Sequence, residues 1–336
     1  MSDGRFSFVA FAGVLLLVLG LAGALNYLVD PLWYAKGNRI TDKNFSFNER
    51  ISKINLLNRT ADQDWDCLIL GSSRVTMLRQ SRFEGLRCFN LALKGAEAAE
   101  ELAYGRHARD KGLRPRVLIV AVDDFNFIER RQTARRAAPR VEGTPSAWHA
   151  FFSTDVLTFS LMTLAGVSPE SNYYDRRFEQ QLLYAPPPFE PKVEDKPDLP
   201  CSMEHVETFR QLRALFPEAR ALAYAPLMSP WYQFTDVYTR GLLDCTIEAF
   251  HAVSRDYDAF LDFGIPSPVT LDNSLTLDGT HYTPEANDAV ARGLQGQAGE
   301  MALDVKAMSL EQYRGAVRSR LHAFAAEHRL LGLWKD

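Results

Sequence analysis

Along most of this chain, short apolar runs alternate with segments whose apolar residues recur at helical spacing. DCLILG (66–71), CFNLAL (88–93), RVLIVAV (116–122), ALAYAP (221–226) and AFLDFG (259–264) are apolar at consecutive positions. Strands buried on both faces read this way. Between them, helical periodicity predicts helices at about 74–84, 95–111, 202–216, 235–255 and 284–299. Strand, helix and strand repeated with short connections predicts a parallel sheet covered on both faces, a three-layer, flavodoxin-like α/β/α core. The pattern breaks between about 126 and 200, where no strand is expected. This stretch reads as a mainly helical insertion: a basic run ERRQTARRAAPR, an apolar helix STDVLTFSLMTLAG, and a Pro-rich, extended APPPFEPKVEDKPDLP. The basic run is most simply a solvated face; an anionic glycan or lipid headgroup is its alternative reading. SLEQYRGAVRSRLHAFAAEHRLLGLW (309–334) predicts a terminal amphipathic helix docked on the domain.

Residues 6–29 differ in kind, because they carry no charge and are long enough to cross a hydrocarbon layer of ~30 Å. They read as a transmembrane anchor or a signal peptide. Ala22, Gly23 and Ala24 form a small-residue cleavage site, but the apolar run continues past them to Tyr27, an interface residue, which favours the anchor. Arg5 on one side and Lys36, Arg39 and Lys43 on the other leave orientation undecided by charge. The expected organisation is therefore an anchor (1–30), a connecting region (31–65), an α/β domain (66–300, with the insertion at about 126–200) and a C-terminal helix (301–336). With 38 basic and 42 acidic residues, the net charge of -4 leaves no electrostatic footprint for nucleic acid. Cys67, Cys88, Cys201 and Cys245 allow one or two disulfides, although Cys67 and Cys88 fall on predicted buried strands and read more simply as small core residues.

Candidate chemistry lies at two corners. In a parallel α/β sheet, ligands sit beyond the carboxyl ends of the strands. Ser72 and Ser73 stand at such an end, where an expected helix N-terminus favours a developing oxyanion, although Ser is also an ordinary N-cap. A serine nucleophile needs a base, and the base an orienting group. LDGTHYTPEANDAV (277–290) supplies both: Asp278 and His281 are three residues apart across a turn with Gly279, before Thr283 as N-cap and Pro284 at the first helical position. Glu248 and His251 share that spacing on a predicted helix, so spacing alone does not select a pair. Arg74 reads either as a surface charge or as a partner for an acidic group such as Asp124.

These blocks resemble those of the SGNH or GDSL hydrolase superfamily. ILGSSR is similar to its first block and places the nucleophile at Ser73, with Ser72 where an Asp is usual. NLALKG (90–95) is similar to the second, which implies that Gly95, with the Ser73 N–H, lines an oxyanion hole. DGTHYTPEAN is similar to the last, with Asp278 and His281 completing a triad. The third block, VLIVAVDDFNF, departs: the usual oxyanion Asn falls on Asp124, whose carboxylate repels an anion unless it is protonated or turned away, and Asn126 is the nearest substitute. Asn90 and Ser72 are further site-shaping candidates. With its anchor and insertion, the chain looks like the membrane-anchored SGNH-like proteins of lipoteichoic acid D-alanylation and alginate acetylation. The resemblance implies a serine-type O-acyltransferase or esterase with no cofactor or metal, on the extracytoplasmic side, acting on an envelope glycan or acyl donor. The alternative, which Asp124 favours, is a non-catalytic partner of a membrane-bound O-acyltransferase.

Overall fold

A computed structural model describes residues 2–129, 141 and 143–334, with side chains from residue 8 onward. The basic run, apart from Glu129, lies outside these residues. Contacts divide the chain into two compact units, Met1–Thr60 with Glu142–Leu183, and Ala61–Val141 with Tyr184–Asp336. The connecting region up to Thr60 thus belongs to one unit with residues 142–183 of the insertion, which was expected to be a mainly helical part of the α/β domain. Nine strands are present among the described residues: β1 Asn44–Phe45, β2 Cys67–Leu70, β3 Cys88–Asn90, β4 Val117–Ala121, β5 Asn172–Tyr174, β6 Gln180–Leu182, β7 Arg220–Ala225, β8 Ala259–Asp262 and β9 Leu303–Asp304.

In the second unit the sheet order is β3-β2-β4-β7-β8-β9, parallel from β3 to β8, with β9 antiparallel at the edge. Counted in chain order, the parallel strands run 2-1-3-4-5, so the order reverses at β2 and β4. The strands carry apolar side chains on both faces because both are covered. Ile69, Ile119 and Tyr224 pack towards Ala286 and Val290 of helix Pro284–Arg292 and Leu294 of the turn after it. On the other face, a Cβ at Gly105 of helix Ala98–Asp110 would lie 3.5 Å from Leu70 and 3.2 Å from Leu215, so glycine there admits close helix–sheet packing. Helices Glu204–Ala214, Leu243–Ser254 and Leu310–Glu327 continue that layer. The last buries Tyr313, Val317 and Leu321 and anchors through Tyr313 OH to Asp262 (2.6 Å).

Several expectations are corrected. The helix expected at 74–84 is two 3₁₀ turns, Ser73–Val75 and Gln80–Arg82. Asn90 on β3 explains the break: its Nδ2 donates to the carbonyls of Val75 and Leu78, both at 3.0 Å, which a continuous α-helix would use for its own bonds. The helix expected over 235–255 starts as a π turn, Gln233–Tyr238, and resumes at Leu243 after Gly241, whose φ of +71° ends the first segment. The region 126–200 does contain strands, β5 and β6, which pair with each other, and β5 pairs on its other side with β1. At three residues each and largely polar, they carry no apolar run to reveal them. Cys67 and Cys88 are register partners on neighbouring strands and form a disulfide, as do Cys201 and Cys245. The simple core reading of the first pair is thereby replaced.

The first unit starts with helix Ser2–Val29, whose segment Phe8–Val29 has mean hydropathy 2.6 and the length and composition of a membrane anchor or a signal sequence. At its end, buried Asp30 accepts N–H bonds from Tyr34, Ala35 and Gly37, each at 2.8 Å, and so organises the turn that follows.

Candidate active site

Both strands at the reversal of sheet order end in chemistry. From β2 the chain enters Gly71, buried Ser72 and then Ser73. A Cβ at Gly71 would fall 2.8 Å from Ala121 of β4, so only glycine lets the corner sit this close to its neighbour. Ser72 is extended and its Oγ accepts from Arg74 N (3.2 Å), which makes it the cap of the turn that Ser73 opens. A three-residue 3₁₀ turn has little dipole, so the helix-dipole support expected for Ser73 is largely absent.

Ser73 Oγ lies 2.8 Å from His281 Nε2, across 208 residues of sequence, and His281 Nδ1 lies 2.7 Å from Asp278 Oδ2. The second oxygen of Asp278 accepts from the backbone N–H of Thr280 (2.9 Å) and His281 (2.8 Å) and from the Thr280 hydroxyl (2.9 Å). This closed Asx turn needs the left-handed Gly279, φ +91°. Thr283 Oγ1 then accepts from Ala286 N as the cap of helix Pro284–Arg292. Burial works against ionisation of Asp278, but the hydrogen bond and charge of His281 and the two backbone N–H groups outweigh it, holding this carboxyl well below the usual range. An ionised Asp278 assigns the proton to His281 Nδ1 and leaves Nε2 as acceptor for the Ser73 hydroxyl. The competing pair is differently engaged: Glu248 binds Arg314 at 2.8 Å and His251 Nε2 faces the Met308 carbonyl at 3.3 Å.

From β4 the chain enters Asp123 and Asp124, both buried. Arg74, itself buried, places Nη1 2.5 Å from Asp124 Oδ1 and 3.4 Å from Asp123 Oδ1. Its guanidinium lies 5.3 Å from the Phe125 ring and 5.6 Å from the Tyr232 ring. Burial opposes the charge of Arg74, but the two carboxylates more than offset it and keep the guanidinium protonated. Asp123 is pushed up to about 6 by burial, against the pull of Arg74 and with the repulsion of Asp124. Deeper in the same place, Glu101 of helix Ala98–Asp110 is raised well above its ordinary value by burial and by Asp123. The Tyr232 hydroxyl is pushed up to about 12 by burial and by Asp124.

The oxyanion candidates are arranged around helix Ala98–Asp110. Gly95 has φ +68°, and nothing lies within 4 Å of where a side chain would begin. Asn126 is buried; its Oδ1 accepts from Ala98 N (3.0 Å), and its Nδ2 has no hydrogen-bond partner among the described residues. Asp123, Glu101, Thr280 and Tyr232 were not legible as site residues in sequence. Only Asp123 left a signal, a second acid at the end of a buried strand. Phe189 from the Pro-rich stretch was missed as well: its ring would lie 3.1 Å from a Cβ at Gly279, so this segment borders the His281 turn. Neither models of known protein families nor curated proteins match this chain.

Proposed function

We propose that this chain is a membrane-anchored, SGNH-like serine acyl-transfer protein acting on acyl esters of a cell-envelope polysaccharide. The observation that carries the reading is the continuous relay from Asp278 through His281 to Ser73, at the point where the sheet order reverses and α/β sheets place their ligands. In this reading Ser73 Oγ attacks the acyl carbonyl while His281 Nε2 takes the hydroxyl proton. Asp278 stabilises the resulting imidazolium. The carbonyl electrons pass to the oxyanion, held by the N–H groups of Ser73 and Gly95 and by Asn126 Nδ2. When the tetrahedral species collapses, the ester oxygen leaves with the proton from His281, and the acyl group stays on Ser73. A glycan hydroxyl, deprotonated by His281, then takes the acyl group and frees the serine.

The carboxylate at 124 is the reason to expect a non-catalytic partner of a membrane-bound O-acyltransferase; its pairing with Arg74 supports the catalytic reading against it. Hydrolysis is favoured as a second reading by exposure, since the His281 and Asp278 side chains keep 37% and 53% of their surface in contact with solvent. The test is a serine-directed fluorophosphonate: Ser73 should be the labelled residue, and His281→Ala should abolish labelling. Labelling elsewhere, or none, sinks the catalytic reading. If labelling succeeds, faster release of the acyl-enzyme by glycan than by water separates transfer from hydrolysis. The extracytoplasmic placement is checked separately by alkaline phosphatase fused after Asp336, which should be active.

A further inference from the structure

Two helices of the first unit, Ala147–Phe151 and Thr154–Leu164, form a hairpin against the last turns of helix Ser2–Val29. Asn26 joins them: its Nδ2 donates to the Phe151 carbonyl (2.8 Å) and its Oδ1 accepts from Ser160 Oγ (2.9 Å). The Tyr27 ring meets Phe151 edge-on at 5.5 Å. Gly23 is pressed against Phe152, whose ring would lie 2.9 Å from an added Cβ. Gly23, Asn26 and Val29 form one buried stripe on a helix whose other faces are largely exposed.

These contacts fall inside the apolar segment Phe8–Val29. Gly23 precedes Val29 by six residues, so the hairpin reaches about 9 Å into that segment at 1.5 Å per residue. Its outward surface matches this depth. Thr154, Asp155 and Thr158 are exposed at the start of the second helix, while Leu161, Leu164 and Val167 are exposed at its end, and Trp148 keeps 75% of its surface free. The backbone at that apolar end is satisfied internally: Ala165 N binds Leu161 O, Gly166 N binds Thr163 O, and Val167 N binds Met162 O. Hydrocarbon demands this of any backbone it surrounds. Arg39 over the Tyr27 ring, at 4.4 Å, marks the level where the helix meets headgroups and water.

We propose that the 147–167 hairpin is a second membrane element, seated in one leaflet beside the anchor, with Trp148 at the headgroup boundary and Leu161, Leu164 and Val167 among acyl chains. Lipid is the occupant because this surface continues the exposed apolar face of the anchor. The proposal rests on reading residues 8–29 as a retained anchor and is independent of the serine chemistry.

The full-length protein is reconstituted in phosphatidylethanolamine–phosphatidylglycerol vesicles with a nitroxide at Leu161→Cys, Leu164→Cys or Asp155→Cys. Because the native cysteines are paired in disulfides, the label goes to the added thiol. Labels at 161 and 164 should collide with oxygen in preference to a water-soluble nickel complex, and the label at 155 should show the reverse. Nickel access at 161 and 164 in protein that resists carbonate extraction overturns the hairpin proposal alone. Shielding from both reagents also overturns it, since protein would then cover the surface. Release by carbonate overturns the anchor reading itself.

Discussion

At the residue scale, Ser72 and Ser73 have separate tasks despite being adjacent. Ser73 faces His281, whereas Ser72 is buried and spends its oxygen on Arg74 N. Ser73→Ala should therefore lower turnover of an aryl acetate by about 10³-fold or more, and adding His281→Ala should change little further, because members of a relay fail together. Ser72→Ala should retain most activity. If the rates of the two serine variants are reversed, Ser72 is the nucleophile. Arg74 is the second residue of consequence. Removing one partner of a buried ion pair leaves an uncompensated charge, so Arg74→Met should cost about 3–5 kcal/mol in urea unfolding. A loss below about 1 kcal/mol would show that Asp123 and Asp124 do not depend on the guanidinium.

At the scale of elements, Ser73 is held by a loop whose geometry is imposed by the next strand. Asn90 supplies that constraint through Val75 and Leu78 and accepts from Ala92 N at 3.0 Å. Asn90→Ala takes the Nδ2 donor from two buried carbonyls, of which Val75 O keeps the Leu78 N–H (2.9 Å), and should cost about 1–3 kcal/mol of stability. It should also lower kcat more than it raises KM, because Ser73 loses its position before the substrate loses its binding surface. An unchanged kcat in a correspondingly destabilised variant would confine Asn90 to a folding role. The same logic explains why a helix read from periodicity over 74–84 is absent: the apolar spacing is real, but a long-range side chain takes the carbonyls that would have closed its turns.

At the scale of the whole molecule, buried acids make stability depend on pH. Asp123 is pushed from 3.8 to about 6, so between those values the folded state holds a proton that the unfolded state releases. This contribution is complete below about 4 and is lost as pH rises through 6, with an upper size of about 3 kcal/mol. Asp123→Asn, which cannot titrate, should flatten that part of the profile when urea midpoints in detergent are compared at pH 4.5 and 7. An unaltered slope would show that Asp123 does not titrate there. Sequence alone determined the chemistry of the layers: consecutive apolar residues demanded strands covered on both faces, and an uncharged run at 6–29 demanded an apolar surrounding. Sequence also offered Ser73, Asp278 and His281 as separate candidates, since Ser at a strand end and His after an Asx turn are local features. Tertiary structure decided the rest. It selected Asp278–His281 over Glu248–His251 because only the first pair stands at the carboxyl edge of the sheet, opposite Ser73. It turned Asp124 to Arg74 because β2 and β4 are neighbours only in the folded sheet. It also joined residues 1–60 to 142–183, since partners such as Asn26 and Ser160 share no local pattern, and their pairing arises only when buried amides and hydroxyls must find one another.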